Sequence, residues 1–230
     1  RGDTMSVDAA TQSELIRVAH MLADAARVET LRLFRVPGLV ADDKSAQDAL
    51  FDPVTEADRA AEKAMRAILA VERPGDGILG EEFGTKAGTS GLTWVLDPID
   101  GTRGYISGTP TWGILIAISD ATGPVFGIID QPYIGERFVG GFGVAEVTGP
   151  TGVTPLATRK RTSFATASLL STFPEVGSKL ERRAFEAVSS AVKLTRYGMD
   201  CYGYALLAAG QVDLVIEAGL QPYDVHAPIA

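Results

Sequence analysis

Residues 94–105 read WVLDPIDGTRGY, and this stretch decides the fold. An apolar run, the pattern of a buried strand, ends on Asp97. Pro98 and Ile99 follow, then a second carboxylate at Asp100, then Gly101-Thr102-Arg103. Residues i and i+3 of a turn bring their Cα atoms within about 7 Å, so both carboxylates can face one small volume beyond the strand. Pro98 fixes φ, and Gly101 permits an unusual backbone angle or the close approach of a ligand. Two acids that close repel each other, and a cation resolves the repulsion. An acid-rich turn with solvated side chains is the plainer alternative.

The rest of the composition narrows the choice of cation. The chain has 230 residues, 46% of them hydrophobic, with 21 Lys+Arg against 29 Asp+Glu and a net charge of −8. That balance argues against a nucleic-acid backbone or an anionic membrane as partner. Cys201 is the only cysteine and His20 and His226 the only histidines, which excludes a cysteine-based zinc cage and argues against a histidine-rich metal site. Carboxylate oxygen remains, and it suits magnesium, calcium or manganese. A single cysteine also fits a reducing, cytoplasmic setting. The longest apolar stretch, GILIAI at 113–118, is too short to span a bilayer. Arg1-Gly2-Asp3-Thr4 precede Met5 and read as a tag remnant ahead of the native start.

Periodicity predicts a long amphipathic helix over 11–34 and a loop over 37–53 that carries Lys44. A second helix begins near Thr55. Strand-like runs follow at 77–80, 92–96, 113–119, 125–130 and 136–141, the last three forming an antiparallel meander through short, turn-rich connections. The second half alternates: a short strand at 164–169, a helix at 178–192, a strand at KLTRYG, a helix at 202–211 and a strand at 212–217. That order predicts a second α/β layer.

Three further acidic stretches stand beside the first. GEEFG at 80–84 follows a short apolar run, as Asp97 does, so Glu81 can share a sheet edge with Asp97. In DPVTEAD at 52–58, Thr55 and Asp58 have capping-box spacing, which explains both residues without any catalytic role. In EAGLQPYDVHAP at 217–228, Glu217 ends a strand and Asp224 lies at a helix start. His226 reads as a packing or surface residue.

Together, in this order and spacing, DPVTEAD, GEE, WVLDPIDGTRGY and PYDVHA resemble the inositol monophosphatase superfamily of magnesium-dependent, lithium-sensitive phosphatases, over roughly residues 10–230. The resemblance implies an α+β fold, a layered αβαβα sandwich of the sugar-phosphatase (inositol monophosphatase / fructose bisphosphatase) type. It implies one phosphatase domain over 5–230, with an α+β half to about 150 and an α/β half from about 151. Family members continue for some tens of residues past the last motif, so the chain reads as lacking its C-terminal end. It implies two or three Mg²⁺ ions, with Mn²⁺ as a possible substitute. Glu81, Asp97 and the Ile99 carbonyl would hold one; Asp97, Asp100 and Asp224 a second; a weaker third would sit near Glu81. Thr102, bonded to Asp58, would help Glu81 activate the water, Gly101 and Thr102 would offer backbone N–H groups to the phosphate, and Lys44 would lie near the site. A cytoplasmic homodimer acting on a small phosphorylated substrate is implied as well.

Within the superfamily, Arg103 after the threonine, DPVTEADRAAE and LQPYDVHAPI look like the histidinol-phosphate phosphatase branch. A substrate with an ammonium and an imidazole calls for acids beyond the phosphate. Asp200 and Glu217 are expected there, with Arg196 pairing the substrate or ordering the loop; a surface salt bridge between Arg196 and Asp200 is the competing reading. The alternatives are a phosphatase for inositol phosphate or another small ester, and a catalytically inactive metal-binding regulatory protein.

Overall fold

Asp8 caps the first helix, accepting a bond from the Thr11 N–H at 2.9 Å. From there α1 runs over Ala9–Leu33. Leu15, Val18, Ala19, Leu22, Ala23 and Ala26 recur three and four apart and form its buried stripe. In the computed structural model residues 7–43, 53–160 and 163–230 are described; Lys44 lies outside them. A short antiparallel pair, β1 (Ala41–Asp43) and β2 (Pro53–Thr55), leads into α2 (Glu56–Glu72). The capping box is present, with Asp58 Oδ2 accepting from the Thr55 N–H at 2.8 Å. Such a cap is worth about 1 kcal/mol.

The first half then builds one sheet. Its strands are β3 (Gly77–Gly80), β4 (Gly84–Lys86), β5 (Thr93–Asp100), β6 (Gly113–Asp120), β7 (Gly123–Gln131), β8 (Glu136–Gly141), β9 (Val144–Gly149) and β10 (Gly152–Pro155), with α3 (Thr102–Ile106) between β5 and β6. The order is β10-β9-β8-β7-β6-β5-β3-β4. Within this sheet β3 and β5 pair in parallel and the other described pairs are antiparallel. The expected meander is β6-β7-β8, and two further hairpin strands extend it.

The second half is a three-stranded parallel sheet, β11 (Ser168–Ser171), β12 (Leu194–Tyr197) and β13 (Leu214–Val215), in the order β12-β11-β13. It carries α4 (Lys179–Ser189), α5 (Asp200–Ala208) and α6 (Pro222–Ile229). The expected strand over 164–169 is a 3-10 turn at Phe164–Thr166 before β11. The strand expected over 212–217 pairs only at Leu214 and Val215.

The layers follow from which faces are apolar. α1 and α2 pack on one face of the large sheet around Leu22, Met65, Trp94, Ile116 and Ile128. α5 and α6 cover the other face through Cys201, Ala205 and Ala227, against Val95, Leu115 and Ile129. The small sheet lies beyond them, with α4 outermost through Phe185 against Leu169 and Val176. This is the αβαβα sandwich. Fully buried Asp130 on β7 ties the first layer down, taking bonds from Arg27 of α1 and Arg137 of β8 at 2.6 Å each. Among the described residues no helix is long and apolar enough to cross a membrane.

Candidate active site

The parallel pairing of β3 with β5 brings two acids side by side. Gly80 stands opposite Leu96, and the Glu81 N–H donates to the Leu96 carbonyl at 3.2 Å. Glu81 and Asp97 are the next residue of each strand, and their side chains meet in hydrogen-bond contact. The DPID segment is not a turn as its spacing suggests. β5 continues to Asp100, with a register shift against β6 between Asp97 and Asp100. This bulge replaces the turn and still aims both carboxylates to one side. The Ile99 N–H donates to Asp97 Oδ1 at 3.0 Å, which fixes the Asp97 rotamer.

Asp224 arrives from the other half. It is the third residue of α6, and its Oδ2 accepts from the Gln221 N–H at 2.6 Å in a capping box. Carboxylate oxygens of Asp97, Asp100 and Asp224 come within 4.8 Å of one another. Asp97 is buried, and burial together with the charges of Glu81, Asp100 and Asp224 pushes its carboxyl well above the usual range. Burial and the charges of Asp200 and Asp224 push Asp100 up to about 8, although the Cys201 N–H at the start of α5 donates to it at 2.6 Å. Unfavourable charge held in place by a sheet and a helix cap is what a hard divalent cation relieves. The donor set is all oxygen, which fits Mg²⁺.

Thr102 links this cluster to α2. Its hydroxyl lies 3.1 Å from the Ile99 carbonyl and 3.3 Å from Asp58 Oδ1. Asp58 is fully buried, and desolvation lifts its carboxyl to about 6. One Asp58 oxygen caps its own helix while the other faces Thr102, so capping does not exclude a second role.

A cavity of about 260 Å³ opens over the cluster, lined by Glu81, Asp97, Ile99, Asp100, Gly101, Thr102 and Asp224 at its floor. Its wall comes from the second half. Glu217 accepts from the Thr172 N–H and hydroxyl at 2.7 and 2.9 Å. Asp200 accepts from the Thr111 hydroxyl at 2.9 Å. Burial pushes both wall carboxyls up. Asp200 has φ +46, a costly conformation for a residue with a side chain. Its carboxylate lies against Gly101, at φ +87, where a Cβ would stand 2.6 Å from Asp200 Cγ. Gly101 therefore serves both the turn and the close approach.

Arg103, left without a task by sequence, bridges the two halves. Its guanidinium lies over the Phe173 ring at 5.5 Å, and its charge offsets part of the rise that burial gives the Asp200 carboxyl. Arg196 does not join the site. It is exposed on the edge strand β12 and is not part of the cavity lining; Arg103 and Thr111 take the places beside Asp200. His226 packs inward instead, its Nδ1 2.8 Å from the Ser119 hydroxyl. Thr172, Phe173, Tyr204 and Leu220 complete the wall. No periodicity in the sequence places these four together.

Known proteins share this architecture. The chain is 40% identical over 91% of its length to the bifunctional phosphatase IMPL2, chloroplastic, of Arabidopsis thaliana, and spans 59% of that protein. It is 38% identical over 92% of its length to a histidinol-phosphatase of Streptomyces coelicolor, covering 80% of it. A solved inositol monophosphatase from Zymomonas mobilis superposes with a TM-score of 0.81 at 40% identity, over 97% of this chain and 83% of that one. Residues 11–230 match the Inositol monophosphatase family, and the chain belongs to that family.

Proposed function

We propose that this chain hydrolyses small phosphate monoesters with Mg²⁺ and that histidinol phosphate is its substrate. One observation carries the reading: Asp97, Asp100 and Asp224 converge within 4.8 Å on the floor of a cavity whose wall presents two further acids, Asp200 and Glu217. The floor suits a phosphate brought in with cations, and the wall suits a substrate that is itself cationic.

Glu81, Asp97 and the Ile99 carbonyl would hold one ion, Asp97, Asp100 and Asp224 a second, and Glu81 a weaker third; Mn²⁺ would serve in their place. Bound there, the ions would neutralise the phosphate, acidify a water and stabilise the leaving oxygen. The chain's own groups do the rest. The Thr102 hydroxyl, donating to Asp58 Oδ1, offers its lone pairs to the attacking water. Glu81 takes the water's proton as the new O–P bond forms. The ester P–O bond breaks on the opposite side, and the leaving oxygen takes a proton from solvent water. The Gly101 and Thr102 N–H groups face the phosphate. Asp200 and Glu217 receive the substrate's ammonium and imidazole. A cytoplasmic homodimer belongs to the same reading.

The Zymomonas relative named for inositol monophosphate supports a second substrate, inositol phosphate. Phosphate release from both esters, with Mg²⁺ and with added lithium, separates them. Faster turnover of histidinol phosphate is expected; equal or better turnover of inositol phosphate overturns the assignment. No release from any ester would favour a metal-binding regulatory role.

A further inference from the structure

The buried stripe of α2 contains two acids one turn apart, Asp58 and Glu62, both with no exposed surface. Residues four apart share a helix face, so both point toward the large sheet. Asp58 reaches Thr102. Glu62 reaches the turn that carries Glu81. Its Oε2 accepts from the Glu82 N–H at 2.6 Å and its Oε1 from the Phe83 N–H at 3.2 Å. Arg66, one turn further along α2, donates Nε to Glu62 Oε1 at 2.7 Å and Nη2 to the Gly84 carbonyl. Its guanidinium also lies over the Phe83 ring at 5.9 Å.

A fully buried carboxylate is costly unless it is paired and hydrogen-bonded, and among the described residues Glu62 meets both conditions through this turn and Arg66. The approach is close enough that a Cβ at Gly80 would collide with the Glu62 carboxyl. Glu81 is thus held from two sides: its own N–H is bonded to β5, and the next three residues are gripped from α2. Repulsion from Asp97 would otherwise swing the Glu81 carboxylate toward solvent along a turn in which Phe83 is already exposed.

We propose that Glu62, with Arg66, is the positioning residue that sets Glu81 against Asp97, so that α2 aligns both Thr102 and Glu81. This rests on the phosphatase reading for its kinetic consequence. Groups that orient a metal ligand typically change affinity or activity about 10–100-fold. Glu62→Gln, which sets an amide NH₂ against a backbone N–H, should lower kcat and weaken Mg²⁺ binding by calorimetry about tenfold each. KM for the ester should stay within about threefold, since the wall is untouched. Amide hydrogen exchange should accelerate at Glu82 and Phe83. Arg66→Met should move the same readouts less. A purely structural tie would lower the melting temperature and leave kcat and Mg²⁺ affinity unchanged, and that result overturns the proposal. If Glu62→Gln does not fold, Arg66→Met decides by the same readouts. If the parent protein releases no phosphate, the functional reading fails, while Mg²⁺ titration and amide exchange still decide the clamp.

Discussion

Asp97 and Asp200 face one cavity and are held by different means. Asp97 stands between β3 and β6 in an eight-stranded sheet, with its rotamer fixed by the Ile99 N–H. Asp200 opens α5 at φ +46. It is held by one hydroxyl from Thr111, and the small sheet beside it has strands of four, four and two residues. Asp97 and Glu81 are set on the floor by backbone pairing between β3, β5 and β6, and Asp224 by its helix cap, which tolerate little displacement. The wall acids are held by single hydroxyl and amide donors, Asp200 from the other half by Thr111 and Glu217 within its own half by Thr172, and these can change without disturbing the floor. A family can then keep one reaction and vary its substrates by altering the wall.

The largest effect should come from the floor. Asp97→Asn keeps an oxygen for the Ile99 N–H and removes the charge that Glu81, Asp100 and Asp224 oppose. Activity should fall on the order of 10³-fold, the upper end for deleting one group that stabilises transition-state charge. Mg²⁺ should no longer raise the melting temperature. The metal-free variant should melt no lower than the parent, because a buried repulsion is gone. Retained activity would break the assignment of the floor.

Next in size is a pH effect carried by the same acids. Burial and neighbouring charge raise Asp100 to about 8 and burial raises Asp58 to about 6, both above the usual aspartate range. Between those limits the folded protein holds more protons than the unfolded chain, so metal-free stability falls as pH rises from about 4 to 8. The melting temperature without metal should drop by on the order of 5 °C between pH 5 and pH 8. Mg²⁺ competes with those protons, so it should stabilise more at pH 8 than at pH 5. A metal-free protein that is more stable at pH 8 would mean the cluster is not strained as described.

The wall should show a smaller and selective effect. Asp200→Asn and Glu217→Gln each remove a charge that a cationic ester would meet. KM for histidinol phosphate should rise about tenfold, equivalent to about 1.4 kcal/mol. KM for glycerol phosphate, which has no cation, should hold. Equal losses on both esters would assign these acids to the floor's chemistry and dissolve the distinction.

Much of the floor was legible in the sequence because its acids sit where apolar runs end. Asp97 and Glu81 follow the last residues of two runs, and parallel pairing is what places them together. Asp58 has capping-box spacing and Asp224 lies at a helix start, and both accept from the backbone N–H of their helix's N-cap residue. Glu62 carries a subtler signal, an acid on the buried stripe of an amphipathic helix. Its meaning depends on a turn twenty residues away. The wall was less legible. Asp200 and Glu217 could be named for their charge, but Thr111 meets Asp200, and Phe173 meets Arg103, only when the two halves pack. The expected strand at 212–217 also shortened to two residues that pair with β11.

Arg196 gives the sharpest test of where the wall stops. Sequence placed it beside Asp200, four residues on, but β12 and α5 are separate elements. The chain passes through Gly198 at φ +78 between them, and Arg196 is left exposed on the sheet's edge. Asp200 instead meets the charge of Arg103, which Phe173 supports from the other half. Arg196→Ala should therefore change kcat and KM by less than about twofold, as surface positions without special contacts do. Arg103→Ala should raise KM by several fold, because it removes the charge beside Asp200 and the Phe173 contact together. A larger effect at Arg196 than at Arg103 would move the boundary of the wall out to β12.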